Sequence, residues 1–278
     1  MTTTADREID AEPAARFTDL LAAESIKFVS LRSTRWGVLL SALVVIAMNA
    51  NAAFSDYRNW PTYNPQIRAS FVPDWAVSDA FSAGAAMVLI LAAGTIGALA
   101  IVSDYASGLA RTTFAAVPAR SSVVLAKATV LAGVLLAFGV VVAGGSFVAS
   151  QGILAGRGIN VTLADPGVLR GVVASALLAP VCGLAGLAIG AVIRYTAGSI
   201  VTTVALLLLF PALLEDRRYL TAVILHAQPY GSWGALHGLD TQHLSPYPAT
   251  TVGSWLGYGI WALASVVVAA LVVRRRDL

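Results

Sequence analysis

The chain has 278 residues, of which 58% are hydrophobic and only 12% are charged, and its net charge is +3. A soluble domain carries about 25% charged residues, so this composition excludes a globular protein whose surface faces water. The mean hydropathy of +0.77 instead favours a domain embedded in lipid. The small net charge by itself says nothing about nucleic acid, and for a lipid-embedded domain we expect membrane lipid and no nucleic acid as a partner. We expect residues 1–15 to be a disordered cytoplasmic N-terminus without a cleaved leader, and residues 16–278 to form one transmembrane domain.

The first predicted element precedes the long apolar runs. Its apolar residues recur near helical spacing, and most charged residues fall between them. The apolar positions are Phe17, Leu20, Leu21, Phe28 and Leu31. This pattern predicts an amphipathic helix that lies along the inner membrane surface. A soluble helical tail is the alternative interpretation.

Six apolar runs follow, each of about the length that crosses a bilayer. About 20 helical residues span the roughly 30 Å hydrocarbon core. The runs are 36–54, 80–102, 123–150, 168–193, 196–214 and 253–273. They predict an all-α integral membrane protein with six transmembrane helices, of which 196–214 is marginal in length. A long, partly helical outer segment is expected between the fifth and sixth spans.

The distribution of basic residues predicts the orientation. With six spans both termini share one side, and that side holds 12 of the 18 basic residues. The other side holds six. Because loops rich in Lys and Arg stay in the cytoplasm, both termini are predicted to be cytoplasmic. Frequent Ala, Val and Gly suggest a bacterial source, and hence the bacterial plasma membrane.

The spans contain no ionisable residue near their centres, which weighs against a proton-driven or sodium-driven carrier. The chain also lacks a nucleotide-binding loop and the common hydrolase motifs, so no catalytic residue is predicted. The histidines His226, His237 and His243 lie in the last outer loop, but their spacing matches no established zinc site. No metal site is predicted. The neutral polar residues of the spans favour packing, and substrate-binding residues stay unknown.

The segment after the second span carries the most distinctive pattern. An acid and a tyrosine precede a glycine, a basic residue, a proline and a second basic residue. These residues are Asp104, Tyr105, Gly108, Arg111, Pro118 and Arg120, with Lys127 further on. We expect Ser103 or Asp104 to cap a short helix, and Gly108 to permit close backbone approach. A capped interfacial helix without any partner is the simpler interpretation.

This segment resembles the coupling helix of type-2 ABC exporter permeases, which docks into a separate ATPase. Glu24 and Lys27 match the E-x-x-K of the elbow helix in that family. Asp104 stands where the family more often has Glu. The resemblance implies a permease that pairs with a second permease copy, identical or homologous, and with ABC ATPase subunits. ATP and Mg²⁺ would bind to those subunits, and this chain would need no cofactor.

Two other functional classes stay open at this point. The chain could be a secondary or passive transporter, or a membrane scaffold that transports nothing. The sequence does not distinguish drug, peptide, lipid and natural-product substrates. If the segment is a coupling helix, Asp104 would tie it to the elbow helix through Lys27 or Arg35. Helix capping by Asp104 is the rival role.

Overall fold

The computed structural model describes residues 16–117, 119–214, 217–238 and 246–275. Within these ranges the regular structure is helical and contains no strand, in agreement with the predicted all-α class. The predicted disordered N-terminus lies outside the described residues. So does part of the outer segment, including His243.

The helices follow one another with short connections. In chain order they are α1 (Phe17–Ser30), α2 (Arg32–Asn59), α3 (Pro65–Ser70), α4 (Ala76–Ala80), α5 (Ala83–Ala106), α6 (Leu109–Ala116), α7 (Arg120–Ala155), α8 (Val168–Ile193), α9 (Thr196–Val204), α10 (Phe210–Ala212), α11 (Tyr219–Ala227), α12 (Pro229–His237) and α13 (Thr251–Arg275). A 3₁₀ turn covers Trp60–Thr62, and π-helical turns cover Phe71–Trp75 and Ala205–Leu209.

Among the described residues, five helical stretches are long and apolar enough to cross a membrane. They are Arg32–Thr62, Pro65–Ala106, Arg120–Ala155, Val168–Ile193 and Thr251–Arg275. The chain is therefore consistent with a multi-pass membrane protein. The remaining predicted span corresponds to a shorter apolar helix, Thr196–Ala212, which is interrupted by a π-helical turn. The layout with six spans thus stays a prediction.

The helices define two ends of the bundle. Lys127 at the start of α7 contacts Glu24 of α1, so these elements share one end, called the α1 end. Arg170 near the start of α8 donates a hydrogen bond to the Leu236 carbonyl of α12, at 2.9 Å. These two elements lie at the opposite end. Since α8 ends at the α1 end, the Thr196–Ala212 helix leads the chain back to the opposite end.

Helix α8 forms the centre of the bundle and is the most buried of the long helices. Its most extensive contact is with α5. A Cβ added at Gly97 of α5 would overlap the Gly183 carbonyl, and one added at Gly186 would overlap the Gly94 carbonyl. Small residues therefore let the two backbones touch, as in other helix pairs within membranes. Cys182 of α8 is fully buried in this core.

Several neutral polar residues inside the bundle bond to one another or to the backbone. Asn49 of α2 donates to the Ser146 hydroxyl of α7 at 3.0 Å. Its carbonyl oxygen accepts bonds from the amide and hydroxyl of Ser82, at 3.0 and 2.8 Å. Thr203 donates to the carbonyl of Ser199 one turn earlier. These contacts match the packing role predicted for such residues.

The contact between α5 and α8 makes a prediction about stability. Gly97→Ala should destabilise the chain by about 1–3 kcal/mol, because the added methyl meets a backbone carbonyl that cannot rotate away. Gly133→Ala is the matched control, since a Cβ there meets nothing within 4 Å. Thermal unfolding in detergent should show a lower midpoint for Gly97→Ala and no loss for Gly133→Ala. Equal midpoints would contradict the close contact.

Candidate functional site

Four charged side chains from three helices form a closed network at the α1 end. The Lys127 ammonium lies 2.6 Å from Glu24 Oε2 and 2.9 Å from Asp104 Oδ2. The Lys27 ammonium lies 2.9 Å from Glu24 Oε1 and 3.3 Å from Asp104 Oδ2. Each ammonium thus bridges the same two carboxylates. The network joins α1 to the last turn of α5 and to the second turn of α7.

The network carries no net charge, and its members differ in exposure. The side chain of Lys127 is only 7% exposed, whereas that of Lys27 is 27% exposed. A buried ion pair stabilises a fold only when both charges are fully partnered. Here each lysine contacts two carboxylates, and each carboxylate contacts two lysines. Removal of one buried member therefore leaves an uncompensated charge.

The pKa of Lys27 reflects this arrangement. Burial by itself lowers the pKa, but the hydrogen bond to Glu24 and the negative charges of Asp104 and Glu24 outweigh it. The net pKa lies above its ordinary value. A group with a raised pKa contributes its full stabilisation below the unfolded value of about 10.4, and loses it only as the pH rises through the folded value. Lys27 therefore remains charged at every physiological pH.

Both cations of the network are lysines, although lysine is rare in this chain. Of the 18 basic residues in the chain only Lys27 and Lys127 are lysines, and both belong to the network. An ammonium is a compact charge with three donors that can point in different directions. It fits between two carboxylates from different helices, whereas the planar guanidinium of Arg prefers one carboxylate in a forked contact.

Helix α6 begins directly after the turn that follows Asp104. Gly108 precedes it in the left-handed conformation, with φ of +75°, and a Cβ added there would meet nothing within 4 Å. The expectation that Gly108 permits close approach was therefore wrong, because the glycine is needed for its positive φ. Capping by Ser103 or Asp104 was also wrong. Helix α5 continues to Ala106, so neither residue stands at the start of α6.

Two more contacts attach α6 and the end of α5 to the bundle. The Arg120 guanidinium lies 5.9 Å from the ring centroid of Phe114 in α6. The Arg194 guanidinium lies 4.8 Å from the ring centroid of Tyr105. Arg194 directly follows α8, so this contact brings the C-terminal end of α8 to the same place, at the α1 end. Nothing in the local sequence pattern around Arg194 predicts its contact with Tyr105, because the two residues are far apart in the chain.

The structure brings together only some of the predicted site residues. Glu24, Lys27 and Asp104 meet in the network, and Tyr105 lies beside it. Arg111 is exposed on α6, and Arg35, the other candidate partner of Asp104, forms no salt bridge with any residue in the described ranges. Pro118 lies outside the described residues. The role of Lys127 as the second bridge was missed, because its partners are far away in sequence.

Two of the three histidines considered for a metal site, His226 and His237, lie among the described residues. His237 is buried, and its ring stacks on Trp233 with centroids 4.1 Å apart. Burial lowers the pKa of His237 to about 4, so its imidazole is neutral at physiological pH. In the part of the chain that the structure covers, no three metal-ligating side chains come together. His243 lies outside that part.

No protein-family model matches the chain, and no curated protein sequence matches it significantly. The resemblance to type-2 ABC exporter permeases therefore rests on the sequence pattern alone and stays a prediction.

The network predicts unequal effects of removing its two lysines. Lys127→Met should reduce the free energy of unfolding by about 3–5 kcal/mol, because it leaves two buried carboxylates with a single cation. Lys27→Met should cost less, since Lys27 is partly solvated. Arg35→Met is the control and should stay within about 0.5 kcal/mol of the parent. Thermal unfolding in detergent ranks the three variants, and equal losses for both lysines would contradict the difference in burial.

Proposed function

We propose that the chain is the transmembrane permease subunit of an ABC exporter in the bacterial plasma membrane. It would cross the membrane six times, with both termini in the cytoplasm, and act with a second permease and two separate ATPase subunits. The observation that carries this proposal is the ion network. Through Asp104, the network holds the end of α5, directly before α6, against α1 and α7. A helix that transmits force from a partner outside the membrane requires such an attachment.

The exposed surface of α6 supports an ATPase as the partner. Leu109, Arg111 and Thr112 are exposed, whereas Ala110 is buried against the bundle. The exposed leucine could make an apolar contact with a partner protein, and the exposed arginine could pair with an acid on that partner. No described residue forms a salt bridge with Arg111. The charge is therefore available to a partner.

The layout also supports six crossings. The Thr196–Ala212 helix has 17 residues, which span about 25 Å at 1.5 Å per residue. That length approaches the roughly 30 Å of the hydrocarbon core. The helix also leads from the α1 end to the opposite end, so a sixth crossing returns the C-terminus to the side of α1.

The proposed mechanism moves helices and breaks no bond in this chain. Closure of the ATPases on ATP would displace α6, and the network would pass that displacement from Asp104 to α1 and α7. Helix α5 would carry α8 with it, because their backbones touch at glycines. Transport requires that the substrate bind the two resulting arrangements with different affinity.

Copurification of ATPase activity tests the proposal. The tagged chain, purified from native membranes, should carry vanadate-sensitive ATPase activity. Leu109→Asp should remove that activity, because it places a carboxylate in the proposed contact. The matched control is Leu163→Asp in the loop between α7 and α8, where the leucine is 50% exposed against 40% for Leu109. The control should retain the activity.

Absence of ATPase activity from the parent chain, or equal activity in both variants, would reject the proposal. The alternatives would then be a secondary or passive transporter, or a scaffold that transports nothing.

The role of Asp104 gives a second test, in the assembled complex. Vanadate trapping should change hydrogen exchange in α5 of the parent. Asp104→Lys should abolish this change while the ATPase stays bound, because α6 is no longer fastened to α1 and α7. Adding Lys27→Asp should restore part of the change by exchanging the two charges. Asp74→Lys, at an exposed acid, is the control. A parent-like response in Asp104→Lys would rule out the charge role.

A further inference from the structure

An apolar cleft lies between the joint of α1 with α2 and one face of α5. Its volume is about 510 Å³, within the range of about 300–1,000 Å³ that is usual for ligand sites. Helix α5 supplies most of the lining, from Val88 to Ser103, at positions that recur every three or four residues. These positions form one stripe along the helix. The opposite face of α5, which includes Gly94 and Gly97, packs on α8, so α8 does not cover the cleft.

The shape of the cleft fits a lipid tail better than a helix. The stripe from Val88 to Ser103 is about 22 Å long at 1.5 Å per residue, which exceeds the roughly 15 Å of hydrocarbon in one leaflet. An α-helix about 10–12 Å across would fill roughly 2,000 Å³ over that length, about four times the volume of the cleft. A second copy of this chain therefore cannot place a whole helix in the cleft, whereas a flexible acyl chain can enter it.

The polar end of the cleft lies at the α1 end. Ser33 and Thr34 of α2 and Ser103 of α5 line it there. Within the described part of the chain, none of their three hydroxyls has a hydrogen-bond partner. Hydroxyls inside the long helices, such as those of Ser41 and Thr203, donate to the carbonyl one turn earlier. In the first turn of α2 the carbonyl four residues earlier lies outside the helix, so these hydroxyls are available to a ligand.

The charges beside this polar end favour an anionic ligand. Arg32 and Arg35 flank the two hydroxyls in the first turn of α2, and both arginines are exposed. Neither forms a salt bridge with any residue that the structure describes. The nearby acids, Glu24 and Asp104, are already neutralised by the two lysines of the network. The uncompensated charge is therefore positive, and basic residues at a membrane surface attract anionic lipids.

We propose that the cleft binds one anionic phospholipid of the surrounding bilayer. One acyl chain lies along the stripe of α5, and the phosphate binds Arg32 and the hydroxyls of Ser33 and Thr34. The site adjoins the ion network, because Phe28 and Ser103 line the cleft and are the chain neighbours of two network members. The bound lipid holds the joint of α1 and α2 against α5. The site belongs to the isolated chain and is independent of any ATPase.

Native mass spectrometry of the full chain, delipidated in mild detergent, tests the headgroup. The parent should bind one phosphatidylglycerol more tightly than phosphatidylcholine with the same acyl chains. Arg32→Gln should weaken phosphatidylglycerol binding about fivefold, as expected for the loss of one cation beside the phosphate. Arg58→Gln is the matched control, because Arg58 is an exposed arginine at the other end of the same helix. Equal affinity for the two lipids, or equal losses in the two variants, would overturn the anionic headgroup.

Filling the cleft tests where the tail lies. Ala92 stands in the middle of the stripe, so Ala92→Trp should abolish phosphatidylglycerol binding. Thr95→Trp, at the next lining position, should do the same. The matched control is Ala137→Trp, at an exposed alanine of α7 that does not line the cleft. This control should bind the lipid like the parent.

Thermal unfolding in detergent separates a filled cleft from a damaged fold. Added phosphatidylglycerol should raise the midpoint of the parent and of Ala137→Trp, because a ligand that binds only the folded state stabilises it. It should leave the midpoint of at least one stripe variant, folded without lipid like the parent, unchanged. Lipid binding retained in both stripe variants would overturn the site. A parent dimer that both variants abolish, with lipid binding unchanged, would assign the cleft to a second copy and also overturn it.

Discussion

The alternation of two ammoniums and two carboxylates at the α1 end is the constraint on which the surrounding structure depends. Each of these charges would be costly in an apolar setting, and each is compensated only while α1, α5 and α7 stay together. Glu24 is the one buried residue of α1, so the network fixes this helix to the bundle more than apolar contact does. The network also determines the position of α6, because α6 directly follows the last turn of α5.

The sequence predicts the features that depend on local pattern. Long apolar runs become helices because a bilayer leaves backbone groups no other partners. The helix before the first span follows from spacing alone, and the choice of Lys27 or Arg35 for Asp104 follows from charge. The structure selects Lys27. The end of α5 was predicted too early, since nothing in the residues around Asp104 shows that the helix continues to Ala106.

Features that depend on how helices meet were not predictable. Lys127 lies 103 positions from Glu24, and only the packing of α1 on α7 brings them together. The sequence shows which kinds of contact a residue can make, whereas the packing of the helices determines which residue is its partner.

The burial of Cys182 has a practical consequence. It is the only thiol in the chain, it lies in the most buried of the long helices, and none of its surface is open. A thiol reagent can reach it only when the helices around α8 separate. The rate at which the unaltered protein reacts therefore reports global opening in a bilayer, where heat and denaturants are difficult to apply. Cys182 is thus a native probe of the unfolding rate, and no engineered cysteine is needed to measure that rate.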